Sequence, residues 1–279
     1  MKLETSLSYA TVLDKFYQIY QVLIPQLPFT LGVILRKIGT NLFSANLLIE
    51  SKHYNEACII IRSATESVIL FCYLTEFPDK IQEYVKDCQM LRFKNHFIAY
   101  KKYKEAESKD YMQDVISQFS EEELIAEQKR LFDILHEDNK KIILKKINKD
   151  KYTLNDKIVD KLDNFFRKEL KKPFFMKLEK MYNEILSFKV GSMELRDFLY
   201  QNYNLNSQTT HGEYFDWIKI NPESKEKLGI VDSSFKRVIY TIILQYREAC
   251  LAVNEELTLS IFLELENISD RVDNYFITN

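Results

Sequence analysis

Apolar residues recur three and four positions apart through much of the chain, which is the pattern of amphipathic helices. Prolines mark several ends of the pattern, because a proline cannot continue a helix through its interior. The first such end is the Pro25 to Pro28 stretch, and the next is Pro78. The predicted helices of this half are Ser6 to Ile24, Thr30 to Ser51, Tyr54 to Phe77 and Pro78 to Glu107. Long helices with short joints are typical of a bundle.

The pattern changes between residues 108 and 188, where charges become dense and the apolar positions narrow to one stripe. Ser120 followed by three glutamates is an N-terminal helix signal, and it predicts one long helix to Ile147. A turn over Asn148 to Thr153 and two further helices follow, Leu154 to Leu170 and Pro173 to Phe188. We therefore predict a core helical bundle of residues 1–107 and 189–279, with residues 108–188 as an inserted charged helical segment.

The remaining chain also has helical periodicity. A helix is predicted from Met193 to His211, after the break at Gly191-Ser192. A loop is predicted between the Asn221-Pro222 step and Gly229, and Asp232-Ser233-Ser234 is the predicted cap of a last long helix through Leu251 to Phe262.

The composition favours an all-α fold. Five glycines and five prolines in 279 residues are too few for the turns of an all-β protein, and 46% hydrophobic with 29% charged residues is globular composition. No apolar run reaches the length of a membrane span, and the N-terminus lacks the features of a secretory signal, so we expect a cytoplasmic protein with no membrane partner. Cys58, Cys72, Cys88 and Cys250 lack CxxC spacing, and reduced thiols are expected.

Positive charge is concentrated in one part of the chain. Between Lys140 and Lys180 there are 14 Lys and Arg residues against 6 Asp and Glu, although the whole chain carries a formal net charge of -2. Such asymmetry is typical of a surface that binds a polyanion such as RNA, and it is also produced by a solvated helix pair whose lysines maintain solubility. The candidate RNA-binding residues are Lys140, Lys141, Lys145 and Lys146.

Arg62 and Glu66 lie one helical turn apart in a segment, residues 57–74, that is otherwise apolar or small nearly all round. A helix of this kind belongs in a protein interior. Two ionisable groups there need partners, because a buried pair that loses one member typically costs about 3–5 kcal/mol. Ser63, Ser67 and Tyr73 fall near the same face.

A second polar stripe lies far downstream, where Tyr203, Ser207 and His211 repeat every four residues. If the bundle brings the two stripes together, His211 has the chemistry of a general base, Arg62 that of a phosphate ligand, and Glu66 that of the group that orients either one. The alternative is a buried hydrogen-bonded network that ties two helices together without catalysis.

These two motifs, Arg62-Ser63-x-x-Glu66 and Ser207-x-x-x-His211, resemble those of an uncharacterised all-helical bacterial family classed only as a domain of unknown function. That family is in turn similar to the HEPN superfamily. The resemblance implies a helical, usually dimeric protein of a toxin or antiphage defence system. It also implies metal-independent ribonuclease activity, RNA as substrate, a homodimer and a protein partner from the same system.

HEPN ribonucleases typically carry an arginine and a histidine separated by four to six residues, commonly with a polar residue directly after the arginine. Arg130 and His136 have this separation, but Leu131 stands at the polar position. We interpret this pair, a secondary candidate, as surface helix residues.

His53 and His96 are isolated in the sequence and lack the acidic or thiol neighbours of a metal site, so no metal is expected. The sequence has no glycine-rich phosphate loop, no serine elbow and no dinucleotide fingerprint. We therefore expect no cofactor.

Overall fold

The computed structural model describes residues 9–107, 120–168, 177–185, 189–190, 193–194, 225–245 and 247–277. These residues are helical apart from short connections and one two-residue ladder, so the all-α prediction is confirmed. The chain divides into two compact units, one of Met1–Pro78 with Leu178–Asn279 and one of Asp79–Lys177.

The first unit begins with α1 (Ala10–Leu23), a 3₁₀ turn (Ile24–Gln26), α2 (Phe29–Glu50) and α3 (Tyr54–Glu76). After residue 177 it continues with α8 (Leu178–Glu184), β1 (Lys189–Val190), β2 (Met193–Glu194), α9 (Lys225–Gln245) and α10 (Arg247–Ile277). The helix α3 packs against α2, α9 and α8, while α10 packs against α1 and α9. The core of this unit is therefore built from both ends of the chain.

The second unit consists of α4 (Lys80–Glu107), α5 (Glu121–Asp133), α6 (Glu137–Ile147) and α7 (Asp156–Lys168). Its core is one aromatic-rich cluster in which Phe93, Phe132, Tyr152 and Phe166 contact one another through their rings. The predicted turn after Ile147 is present, and Asn148 closes α6 in the left-handed conformation (φ 56°) that asparagine tolerates better than most residues.

The predicted division of the chain differs from the observed one at α4. The prediction assigned residues 80–107 to the core bundle, whereas α4 supplies Met90, Phe93 and Phe97 to the core of the second unit. The sequence boundary was placed where the charge density rises. The packing boundary lies at Asp79, beside the proline that ends the preceding predicted helix.

The prediction of one continuous helix from Ser120 to Ile147 is wrong in its middle. Ser120 does cap α5, because its hydroxyl oxygen accepts from the backbone N–H of Glu123. The helix then ends at Asp133, and His136 starts α6 by accepting from the backbone N–H of Asp138 (3.2 Å). The backbone N–H of His136 itself donates to Gln89 Oε1 of α4 (2.8 Å), so a long-range bond helps hold the break in place.

Two predictions near the C-terminal end are also wrong. Asp232, Ser233 and Ser234 do not cap a helix, because α9 begins at Lys225 and runs through them, and Gly229 lies inside the same helix. Met193, predicted as the start of a helix, pairs with Val190 in the antiparallel ladder of β1 and β2. The helix α10 continues to Ile277 with non-helical backbone angles at Asn254.

The expectation that no apolar run reaches the length of a membrane span is wrong for α3, which by length and composition alone is long and apolar enough to cross a membrane. In the fold 67% of its apolar window is buried. Its apolar character is therefore accounted for by packing in the first unit.

Candidate functional site

The Arg62–Glu66 pair forms an ion pair on α3, as the need for partners predicts. Arg62 Nε lies 3.2 Å from Glu66 Oε1. The two side chains differ in exposure, 18% for Arg62 and 42% for Glu66. The guanidinium is thus held by the helix that carries it, while the carboxylate reaches solvent.

The polar residues around this pair join α3 to its neighbours. Asn41 of α2 donates to the Ser63 hydroxyl (3.2 Å), and the Ser67 hydroxyl donates to the Ser63 carbonyl oxygen (2.8 Å). Further along α3 the Tyr73 hydroxyl donates to Glu184 Oε2 of α8 (3.1 Å). The predicted polar stripe of α3 therefore exists, and part of it secures packing between helices.

The downstream partners of the predicted site, Ser207 and His211, lie outside the described residues. The Arg62–Glu66 half of the site is therefore the half whose geometry is known. A guanidinium can bind phosphate oxygens through its planar fork, and the contact from Nε to Glu66 fixes the direction of this one on α3.

The secondary candidates Arg130 and His136 each have a local partner. Arg130 forms two short hydrogen bonds to the Glu127 carboxylate, 2.5 Å from Nε to Oε2 and 2.6 Å from Nη2 to Oε1. The hydrogen bond from Arg130 lowers the pKa of Glu127. His136 is the N-cap of α6. Each side chain therefore has a structural contact that accounts for its presence without a catalytic role.

The four candidate RNA-binding lysines of α6 are not equivalent. Lys140 pairs with Glu137 (2.9 Å), and Lys146 Nζ lies 5.5 Å from the centroid of the Phe165 ring. Lys141 and Lys145 are exposed, and within the described ranges neither has a carboxylate within 4 Å. Three lysines in the turn and helix that follow are likewise exposed and, in the described ranges, have no carboxylate within 4 Å: Lys149, Lys151 and Lys157.

A buried ionic cluster in α9 was missed from the sequence. Asp232 and Lys236 are one turn apart, 3.8 Å from Oδ2 to Nζ, and each side chain is only 11% exposed. Asp232 Oδ1 also accepts from the Tyr9 hydroxyl (2.6 Å), and the Tyr9 backbone N–H donates to Asn46 Oδ1 (2.7 Å). The available signal was the same as for Arg62, since opposite charges four apart interrupt an apolar helix.

A second missed feature surrounds His96 in the second unit. Its Nδ1 lies 2.6 Å from Oε1 of Gln128, which is fully buried, and the imidazole lines an open groove. Cys88, Arg92 and His96 share a face of α4 because they are four residues apart. That spacing was visible in the sequence, whereas the Gln128 partner on α5 was not.

No group of three or more His, Cys, Asp or Glu side chains that is arranged to hold a metal occurs among the residues that the structure describes.

Neither a curated protein nor a solved structure matches this chain. A family model matches residues 30–224, which include α2 to α8, the Arg62–Glu66 pair and the segment with Ser207 and His211. This match covers more than half of the sequence and agrees with the resemblance drawn from the two motifs. The chain belongs to the family of unknown function DUF5677.

Proposed function

We propose that this protein is a HEPN-like, metal-independent endoribonuclease of the prokaryotic defence or toxin type. The observation that carries the proposal is the Arg62–Glu66 ion pair, in which a core helix holds a guanidinium in place beside a carboxylate that solvent reaches. The two motifs that carry the HEPN resemblance both lie within residues 30–224, the stretch that the family model matches.

In this proposal His211 takes the proton from the 2′-hydroxyl of the RNA, and that oxygen attacks the adjacent phosphorus. Arg62 binds the phosphate oxygens through its planar fork, and Glu66 fixes the direction of the guanidinium. The protonated His211 then returns a proton to the departing 5′-oxygen. The products are a 2′,3′-cyclic phosphate and a 5′-hydroxyl end, and Ser207 supplies a hydroxyl near the reacting group.

The test is cleavage of end-labelled single-stranded RNA by the purified full chain in the presence of a chelator. We expect His211→Ala to lower the cleavage rate by about 100-fold or more, because a positioned acid-base group contributes roughly 10² to 10⁴ in rate. Arg62→Ala should lower it by a similar factor, because loss of one donor to the developing charge costs roughly 10² to 10³. A substrate with 2′-deoxy positions should not be cleaved, and the products should end in cyclic phosphate.

Matched controls separate the site from its alternatives. Arg167→Ala removes an exposed arginine that is also paired with a carboxylate four residues away, Asp163 (3.0 Å), and it should leave cleavage unchanged. Arg130→Ala and His136→Ala test the secondary pair. Loss of cleavage in these two variants but not in Arg62→Ala would contradict the proposal, as would an absence of cleavage by the unmodified protein.

The second candidate function is a non-catalytic helical module that binds RNA or another polyanion, with the Arg62 network as a purely structural feature. The observation that favours it is the group of exposed lysines with no carboxylate within 4 Å in the described ranges: Lys141, Lys145, Lys149, Lys151 and Lys157. Binding through them should weaken steeply as salt rises, since each phosphate contact releases counterions. Lys141→Glu with Lys145→Glu should weaken binding, whereas Lys140→Ala, which removes a paired lysine, should do so less.

A further inference from the structure

The second unit has an open groove between α4 and α5 with a volume of about 480 Å³. Its polar lining includes Arg92, Asn95, His96 and Glu127. Leu91 and Leu131 provide apolar surface in the same groove. Ligand sites of small molecules typically have volumes of about 300–1,000 Å³ and combine apolar walls with a few placed polar groups.

The His96 imidazole is oriented by a buried amide. Gln128 Nε2 donates to the carbonyl oxygen of Phe93 (3.4 Å), which turns Gln128 Oε1 toward the imidazole. An amide oxygen only accepts, so Nδ1 of His96 carries the hydrogen. Within the described part of the chain Nε2 has no hydrogen-bond partner, and it is the ring atom left for a ligand.

Arg92 is held loosely beside this imidazole. Its Nη2 lies 3.7 Å from Glu127 Oε1, and its side chain is 63% exposed. Glu127 is already engaged by Arg130 through two shorter bonds, 2.5 Å and 2.6 Å. The Arg92 guanidinium can therefore turn toward an incoming anion at the cost of one weak contact.

We propose that this groove binds the phosphate group of a ligand of nucleotide size. Arg92 and His96 lie one turn apart on α4, so the guanidinium can form charge-assisted hydrogen bonds to phosphate oxygens while Nε2 of the imidazole forms a hydrogen bond to another oxygen of the same phosphate. The Asn95 amide and the two leucines face the remainder of the ligand. The proposal does not rest on the ribonuclease activity, because it uses other residues in the other unit.

The test is calorimetric titration of the full chain with nucleoside 5′-monophosphates at low salt. Inorganic phosphate and the matching nucleosides are the comparison ligands. We expect the monophosphates to bind more tightly than either comparison ligand. Arg92→Gln and His96→Gln should each weaken the binding of the monophosphates by roughly tenfold or more, because each removes a hydrogen bond to a charged group.

Arg167→Gln is the control, because Arg167 is an exposed arginine of the same unit that pairs with Asp163 and does not line the groove. It should leave the affinity unchanged. Circular dichroism of the three variants checks that the helices are retained.

Short RNAs with a 5′-phosphate or a 5′-hydroxyl distinguish the two sources of the ligand. Binding of the phosphorylated RNA alone supports an RNA end, and binding of the free monophosphates alone supports a small nucleotide. Unchanged affinity for the monophosphates in Arg92→Gln and His96→Gln, an equal loss in the Arg167→Gln control, or no binding of any phosphate ligand at millimolar concentration would overturn the proposal.

Discussion

Two neighbouring helices of the first unit, α3 and α9, each carry an intrahelical ion pair, but the two pairs differ in solvent exposure. Each has a pair of opposite charges four residues apart, Arg62–Glu66 in α3 and Asp232–Lys236 in α9. The α9 pair is closed, with both side chains 11% exposed and a third partner in the Tyr9 hydroxyl. The α3 pair is open at its carboxylate, which is 42% exposed.

The difference shows that the same spacing of opposite charges can produce a buried ion pair in one helix and a partly exposed one in another. In α9 the charges are enclosed, and Tyr9 links the start of α1 to the middle of α9. In α3 the Glu66 carboxylate of the pair is accessible to solvent and therefore to a ligand. We therefore assign α9 to stability and α3 to the candidate site, and four experiments test this division.

The largest effect should come from Asp232→Ala. It leaves the buried Lys236 ammonium without this carboxylate and removes the acceptor of the Tyr9 hydroxyl. We expect the free energy of unfolding in urea to fall by about 3–5 kcal/mol, the typical cost of breaking a buried pair. The double variant Asp232→Leu with Lys236→Met should recover part of the loss. A fall of less than 1 kcal/mol would show that the pair is not closed.

Tyr9→Phe should have the next largest effect, because it removes only the hydroxyl that donates to Asp232. A hydrogen bond to a charged group contributes about 1.5–3 kcal/mol, and the stability should decrease within that range. Tyr17→Phe is the matched control, since Tyr17 lies in α1, the helix that begins directly after Tyr9, but is exposed. Equal effects of the two substitutions would contradict the closed description of α9.

Alkaline pH should destabilise the first unit through Cys250, a fully buried thiol of α10, the helix that packs against α9. Burial raises the pKa of this thiol from 9.0 to about 11. The unfolded chain therefore loses the proton first, and the stability that is present below pH 9 is lost as pH rises toward 11. The contribution of this thiol should decrease by about 1 kcal/mol by pH 10. Thermal unfolding of Cys250→Ala across this range should depend less on pH, and an unchanged pH dependence would argue against the assignment.

Glu66→Gln should have the smallest effect on stability, because the open pair is screened by solvent. Exposed ion pairs contribute about 0.2–1 kcal/mol, so the free energy of unfolding should change by no more than that. Raising the salt concentration should narrow the difference further. A loss comparable to that of Asp232→Ala would show that the α3 pair is structural, which would weaken the proposed function.

The sequence predicted most of what local chemistry controls. The ends of α1 to α3 fall within a few residues of the predictions, because prolines and short joints set them. The Arg62–Glu66 contact was also foreseeable, since both partners stand on one helix one turn apart. The capping role of Ser120 belongs to the same class of local signal.

Several of the failures involve residues far apart in sequence, unlike the local pairing of Met193 with Val190. The break before His136 involves Gln89, 47 residues earlier, and Asp232 is held in α9 beside Tyr9, 223 residues earlier. The groove at His96 likewise needs Gln128, 32 residues later. Periodicity describes one element at a time and cannot select such partners. The meeting of Arg62 with His211 is a prediction of the same long-range kind.

The interrupted first unit has a consequence for synthesis of the chain on the ribosome. The apolar helix α3 is complete at residue 76 and can pack at once against α2, but another of its packing partners, α9, begins only at residue 225. At about 5–20 residues per second, roughly seven to thirty seconds pass before α9 begins to be translated. The second unit is continuous in sequence and can form within this interval. During translation the face of α3 that α9 later covers therefore exposes apolar surface, and we expect chaperones to bind the growing polypeptide there.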